Sequence, residues 1–225
     1  MKNKTIKAAS VLLTLTLITS CFVGGTFAKY VTSDKGSDSA RVAKFGVTVT
    51  ATSNSAFKPT YTTDDSSANS AGITNSVVSS NGEDKVIAPG TKGAITKTTI
   101  TGTPEVAVRV TNSAAIDLGE NWTDEDKKYY CPIKITVNSQ EFLGKKYETV
   151  DEFETAVKAA IDKVKADYVP GTILDRNASD SDVAISWEWA FTGNDDTKDT
   201  FLGNKEEGFV PTISIDVTTT VTQIN

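Results

Sequence analysis

The chain has 225 residues, with 23 Lys and Arg against 29 Asp and Glu, a formal net charge of −6 and no histidine. The acidic balance argues against a nucleic-acid partner, because phosphate binding draws on a surplus of Lys and Arg. The absence of histidine removes Ser-His-Asp and Cys-His catalysis and the histidine-based zinc sites of most metalloproteases.

Residues 1–28 read as a signal peptide. A basic start (Lys2, Lys4, Lys7) runs into an apolar stretch from Ala8 to Val23, which ends in Gly24-Gly25-Thr26-Phe27-Ala28. Thr26 and Ala28 supply the small side chains at −3 and −1 that a signal peptidase requires, so cleavage is expected between Ala28 and Lys29. The apolar run is interrupted by Thr14, Thr16, Thr19 and Ser20 and falls short of the ~20 residues that span a bilayer, which speaks against a retained anchor. Ile18-Thr19-Ser20-Cys21 also resembles a lipobox. Lipidation of Cys21 is the alternative processing, and it alone would leave the mature protein tethered to a membrane. Removing residues 1–28 takes away three lysines and no acid, which carries the net charge from −6 to −9. Only Cys131 then remains, so the fold must rest on its core rather than on an internal disulfide.

Residues 29–45 are polar with spaced apolar anchors and form an N-terminal extension; residues 46–225 form the domain. In chain order, Val47/Val49/Ala51 alternate as a strand. Ser53 to Ser80 is rich in Ser, Thr, Asn and Asp and reads as a mobile surface loop with room for a short strand near Val77-Val78. Asn81-Gly82 suits a type I′ turn joining Val77-Val78 to Val86-Ile87, and Pro89-Gly90 suits a type II turn. Thr96–Thr101 has the β-branched composition of a strand, and Val106/Val108/Val110 and Ile133/Ile135/Val137 alternate. Thr149-Val150-Asp151-Glu152 then has capping-box spacing, and Phe153, Val157, Ala160, Ile161 and Val164 recur at helical intervals. This predicts one amphipathic helix over about 150–167. Alternation resumes at Val183-Ala184-Ile185-Ser186-Trp187-Glu188-Trp189-Ala190-Phe191, with the odd positions on a buried face. It ends with Ile213, Ile215, Val217 and Val221 on one face of a strand whose other face is wet. Strands on both sides of a single helix, without strand-helix repetition, predict an all-β, antiparallel β-sandwich with one helical insertion.

Candidate chemistry is sparse. The carboxylate pairs Asp124/Asp126, Asp180/Asp182 and Asp195/Asp196 sit in polar stretches that read as solvated surface charge. Asp175-Arg176-Asn177-Ala178-Ser179-Asp180 places oxygen ligands as a calcium loop would, but it lacks the glycine at the sixth position and has Ser186 rather than Glu at the twelfth. Trp187 and Trp189 share the face of Val183, Ile185 and Phe191 and read as core. Trp122, beside acidic residues, is the aromatic expected to be exposed. Cys131 opens a strand without a basic neighbour and reads as a buried packing residue.

Gly24-Gly25-Thr26-Phe27-Ala28-Lys29-Tyr30, followed by Asp34, Lys35, Ser39-Ala40 and Phe45-Gly46-Val47-Thr48-Val49, resembles the leader and first strand of the TasA/camelysin family. The resemblance implies a jelly-roll sandwich exported by a Gram-positive bacterium with a dedicated SipW-type signal peptidase. It further implies a homo-polymer at the cell surface, an extracellular fibre of the biofilm matrix in which each subunit lends its N-terminal segment as a strand to the next. Tyr30, Val31, Val42 and Phe45 are the apolar anchors such a strand would bury. The expected protein is therefore structural rather than enzymatic, with no cofactor or metal. A surface binding module for glycan or host protein is the alternative. A camelysin-like protease fits less well, since no histidine or zinc-binding helix motif is present.

Overall fold

The computed structural model describes residues 31–35, 40–41, 46–52, 56–62, 74–174, 182–191 and 195–225. Two antiparallel sheets carry the fold. The smaller has four strands in the order β1 (Val31–Lys35), β12 (Ser214–Gln223), β7 (Val108–Asp117) and β10 (Lys165–Tyr168). The larger has six, in the order β2 (Ala40–Arg41), β3 (Val47–Thr52), β6 (Lys92–Gly102), β11 (Ala184–Trp189), β8 (Ile133–Val137) and β9 (Gln140–Leu143). A two-stranded ribbon, β4 (Thr60–Thr62) with β5 (Asn75–Val78), stands apart from both.

The pairing of β7 with β12 runs unbroken from Ser214↔Asp117 to Gln223↔Val108 and forms the spine of the smaller sheet. Val108, Val110 and Ala114 of β7, with Val217 and Val221 of β12, turn inward. Val108, Val110 and Val221 pack in one cluster with Val47, Val49 and Ile100 of the larger sheet, so the two sheets meet face to face as the alternation requires. A second cluster surrounds Ile133, Ile135, Ile185, Trp187 and Trp189. The predicted β-sandwich is therefore the observed architecture.

Helix α1 (Val150–Asp162) buries Phe153, Val157, Ala160 and Ile161 against β7, β8 and β9. Thr149 caps its start as predicted, with Glu152 N–H donating to Thr149 Oγ1 at 3.2 Å; the Glu152 side chain reaches back one residue past the cap, where its Oε2 accepts from Glu148 N–H at 3.0 Å rather than from Thr149 N–H. The helix stops at Asp162 rather than 167, because Lys165–Tyr168 pairs with Thr111–Val108 as β10. Buried Asn112 fixes this exit: its Nδ2 donates to the Val164 carbonyl at 2.7 Å, while its Oδ1 accepts from Thr219 Oγ1 at 2.6 Å.

Three further expectations need correction. Asn81-Gly82 does not join a hairpin of Val77-Val78 with Val86-Ile87: β5 pairs with β4, and Val86 bridges Lys58. Asn81 is not among the residues with positive φ, as a type I′ turn would demand. Its Oδ1 accepts from Glu83 N–H and Asp84 N–H, which makes it an Asx-type turn. The Ser53–Ser80 segment holds both strands of the ribbon and fully buries Tyr61. A second helix, α2 (Asp196–Gly203), joins the single one expected; Leu202 is its only buried residue, so no apolar period marks it. The Pro89-Gly90 turn forms as read, with Thr91 N–H donating to the Ala88 carbonyl at 3.0 Å and Gly90 at φ +91°.

Candidate assembly edge and the polar groups around it

Strands β1 and β2 are consecutive, and each lies at the margin of a different sheet. β1 pairs Val31–Lys35 with Thr222–Thr218 of β12, and β2 pairs Ala40–Arg41 with Val49–Thr48 of β3. The N-terminal segment thus borders both layers, and each of its strands has one neighbour in its sheet. A marginal strand contributes a single ladder, whereas its removal exposes a row of N–H and C=O groups ready to pair with another chain. β12 spans ten residues, and β1 covers five of them; among the described residues, Ser214–Val217 has no partner on that side.

Of the anchors read from the sequence, Val31 opens β1. Tyr30, Val42 and Phe45 lie outside the described residues, as do Thr26, Phe27, Ala28 and Lys29 at the expected cleavage site and Cys21 of the alternative one. The rejected calcium loop, Asp175–Asp180, is outside them too.

Trp187 and Trp189 are core residues, 2% and 4% exposed. Trp187 Nε1–H donates to the Ala56 carbonyl at 2.7 Å and its ring stacks on Phe57. Two aromatic expectations are reversed. Trp122 is 1% exposed, its indole N–H directed at the Leu118 and Thr212 carbonyls and its ring tilted against Trp189. Phe191 is 58% exposed, because the β11 ladder ends at Trp189 and the alternation no longer dictates a face. Cys131 is buried and free, and burial pushes its thiol up to about 12, which makes it inert as a nucleophile.

The carboxylates hold structure together. Asp124, read as solvated, is buried. Burial alone would raise its pKa, but the N–H groups of Lys128 and Asp126 and the Lys198 ammonium hold it below the usual carboxylate range. Asp195 accepts from Lys145 Nζ at 2.6 Å, and Lys198 lies over the Tyr130 ring. Asp199 accepts from the Tyr130 hydroxyl at 2.6 Å; burial raises both of these groups above their ordinary values. These contacts dock α2 on the domain beside a pocket of about 180 Å³ lined by Tyr130, Leu143, Lys145, Phe191, Asp195 and Asp199. The sequence does not disclose this network, because its members come from widely separated segments. Tyr130 and Asp199 are 69 residues apart, and no local spacing links them.

Among the described residues, no three Cys, Asp or Glu side chains gather as a metal site, and no helix is long and apolar enough to cross a membrane. Comparison of the chain with protein-family models, with curated proteins and with solved structures finds no match.

Proposed function

We propose that the chain is an exported structural subunit of the TasA/camelysin kind, which self-assembles into extracellular fibres of a biofilm matrix by exchanging its N-terminal strand between copies. The observation that carries this reading is the position of β1. It begins two residues after the expected new terminus at Lys29 and stands at the sheet margin against β12. Such a strand can leave its own sheet and take up the same register on another copy, so the five pairs broken in one subunit are remade between two. Strand addition of this kind draws its affinity from main-chain hydrogen bonds and its specificity from alternate side chains.

Export supports the same reading through the leader and its Thr26-Phe27-Ala28 junction. Processing would fall to a SipW-type signal peptidase, and the partners are further copies of the chain. The jelly-roll connectivity implied by the family resemblance belongs to this proposal as well.

Electron microscopy of the purified chain beginning at Lys29 tests it. Filaments are expected, and deletion of residues 29–44 should abolish them. A chain that stays monomeric under all assembly conditions would favour a surface binding module instead. A peptide of residues 29–45 should bind the truncated protein by covering β12, and it should slow filament growth of the intact one.

A further inference from the structure

A groove of about 330 Å³ opens beside the start of β12, lined by Phe57, Val86, Ile87, Val210, Pro211 and Ile213, with Lys85 also on its wall. Next to it, residues 206–209 make a turn in which Phe209 N–H donates to the Glu206 carbonyl at 2.9 Å and Gly208 takes φ +88°. The turn presents Phe209 and Val210 to solvent, 59% and 52% exposed. A large aromatic held outward next to an apolar groove is an unusual surface, since apolar side chains gathered in one patch mark contact sites.

Knob and groove are adjacent on one molecule, so a single contact between two copies related by a two-fold axis can seat each Phe209 in the partner's groove. The charges favour the same occupant. Glu206 and Glu207 immediately precede the Gly208-Phe209 pair, Lys85 stands in the groove wall, and all three charged residues are exposed. None of the three has an ion-pair partner among the described residues. A two-fold contact brings the acids of each copy over the lysine of the other, a local complementarity that selects this orientation in a chain whose net negative charge otherwise repels its copies.

The geometry points to a second copy of this chain as the occupant of the groove, in a symmetric contact anchored by Phe209. The contact goes beyond strand exchange and does not depend on it, because β1 lies along Thr218–Thr222 and the groove uses residues 210–213.

Sedimentation equilibrium of the chain beginning at Lys29, carrying Val31→Asp and Val42→Asp to suppress filaments, should show a concentration-dependent monomer–dimer equilibrium. Phe209→Asp should weaken the dimer by ~10-fold or more, the loss typical of a central aromatic anchor, while circular dichroism and thermal midpoint stay as in the parent. Lys85→Glu should weaken it as well, and adding Glu206→Lys and Glu207→Lys to that chain should restore it. A strictly monomeric protein at every concentration, or a dimer indifferent to Phe209→Asp, overturns the inference. Filament formation by the chain with native Val31 and Val42 is read separately, so either contact can fail without the other.

Discussion

Strand β11 and strand β1 use the same backbone hydrogen bonds, yet they stand in opposite relations to the fold. β11 has β6 on one side and β8 on the other, and it turns Ile185, Trp187 and Trp189 into the core. β1 has β12 on one side only. An interior strand is held by side-chain burial and by two ladders at once, so it cannot leave without opening a cavity. A marginal strand is held by one ladder, which an identical strand from another molecule can supply equally well. The two strands therefore separate what makes this domain stable from what would make it polymerise.

The largest effect is expected in the core. Trp187→Ala removes the ring that stacks on Phe57 and meets Tyr61 edge-on, together with the hydrogen bond to the Ala56 carbonyl. A loss of ~3–5 kcal/mol in denaturant unfolding is expected, and a loss well under 1 kcal/mol would show that the strand does not anchor the core. Val31→Asp with Val42→Asp acts on the N-terminal segment instead. The pair should cost several kcal/mol at each subunit contact, enough to stop filaments seen by electron microscopy, while the folded monomer persists. Failure of this variant to fold would make β1 an indispensable part of its own domain. Thr149→Ala lies on neither strand and should cost ~1 kcal/mol through the lost helix cap. That loss calibrates the unfolding measurement.

The smallest effect concerns pH. Burial first, and then the nearby acids Asp195 and Asp196, hold Asp199 above the usual carboxylate range, although Tyr130 donates to it. Its ionised form carries a stability cost that is full above the folded pKa and is relieved as pH falls through it. Asp124 and Asp167 have the opposite sign. Asp167 is held low by the hydrogen bonds and charge of Arg109, and the stability they contribute is lost as pH falls below ~4. Thermal midpoints should rise slightly from neutral into mildly acidic pH and then drop. Asp199→Asn keeps an acceptor for Tyr130 and should flatten the rise.

Much of the fold is legible in the sequence because interior strands advertise their faces. Ile133–Val137 alternates and is bounded as read, and the β3 segment behaves likewise; β12 alternates as read but begins at Ser214, one residue after Ile213. The periodicity overextends the helix because Val164 keeps the helical interval, and nothing local reveals that β7 offers an edge to Lys165–Tyr168 or that Asn112 binds the Val164 carbonyl. Trp122 misleads for a similar reason: its acidic neighbours in sequence suggest solvent, while Leu118, Thr212 and Trp189 enclose it in space. At the candidate edge, the polar spacing around Val31 signals an extendable segment. That the segment pairs with the last strand of its own chain is a long-range fact, carried by no residue of the segment itself.

Strand exchange is tested most directly by asking whose β12 each β1 touches. Ser33 and Thr220 are register partners, and buried Cys131 is too poor a thiolate to interfere. A chain carrying Ser33→Cys, mixed in equal amounts with one carrying Thr220→Cys, assembled and then mildly oxidised, should yield disulfide-linked heterodimers in filaments and none in the monomer fraction. Filaments in which no disulfide joins the Ser33→Cys chain to the Thr220→Cys chain, formed under conditions where the double variant Ser33→Cys/Thr220→Cys closes its disulfide within single chains, would contradict the account.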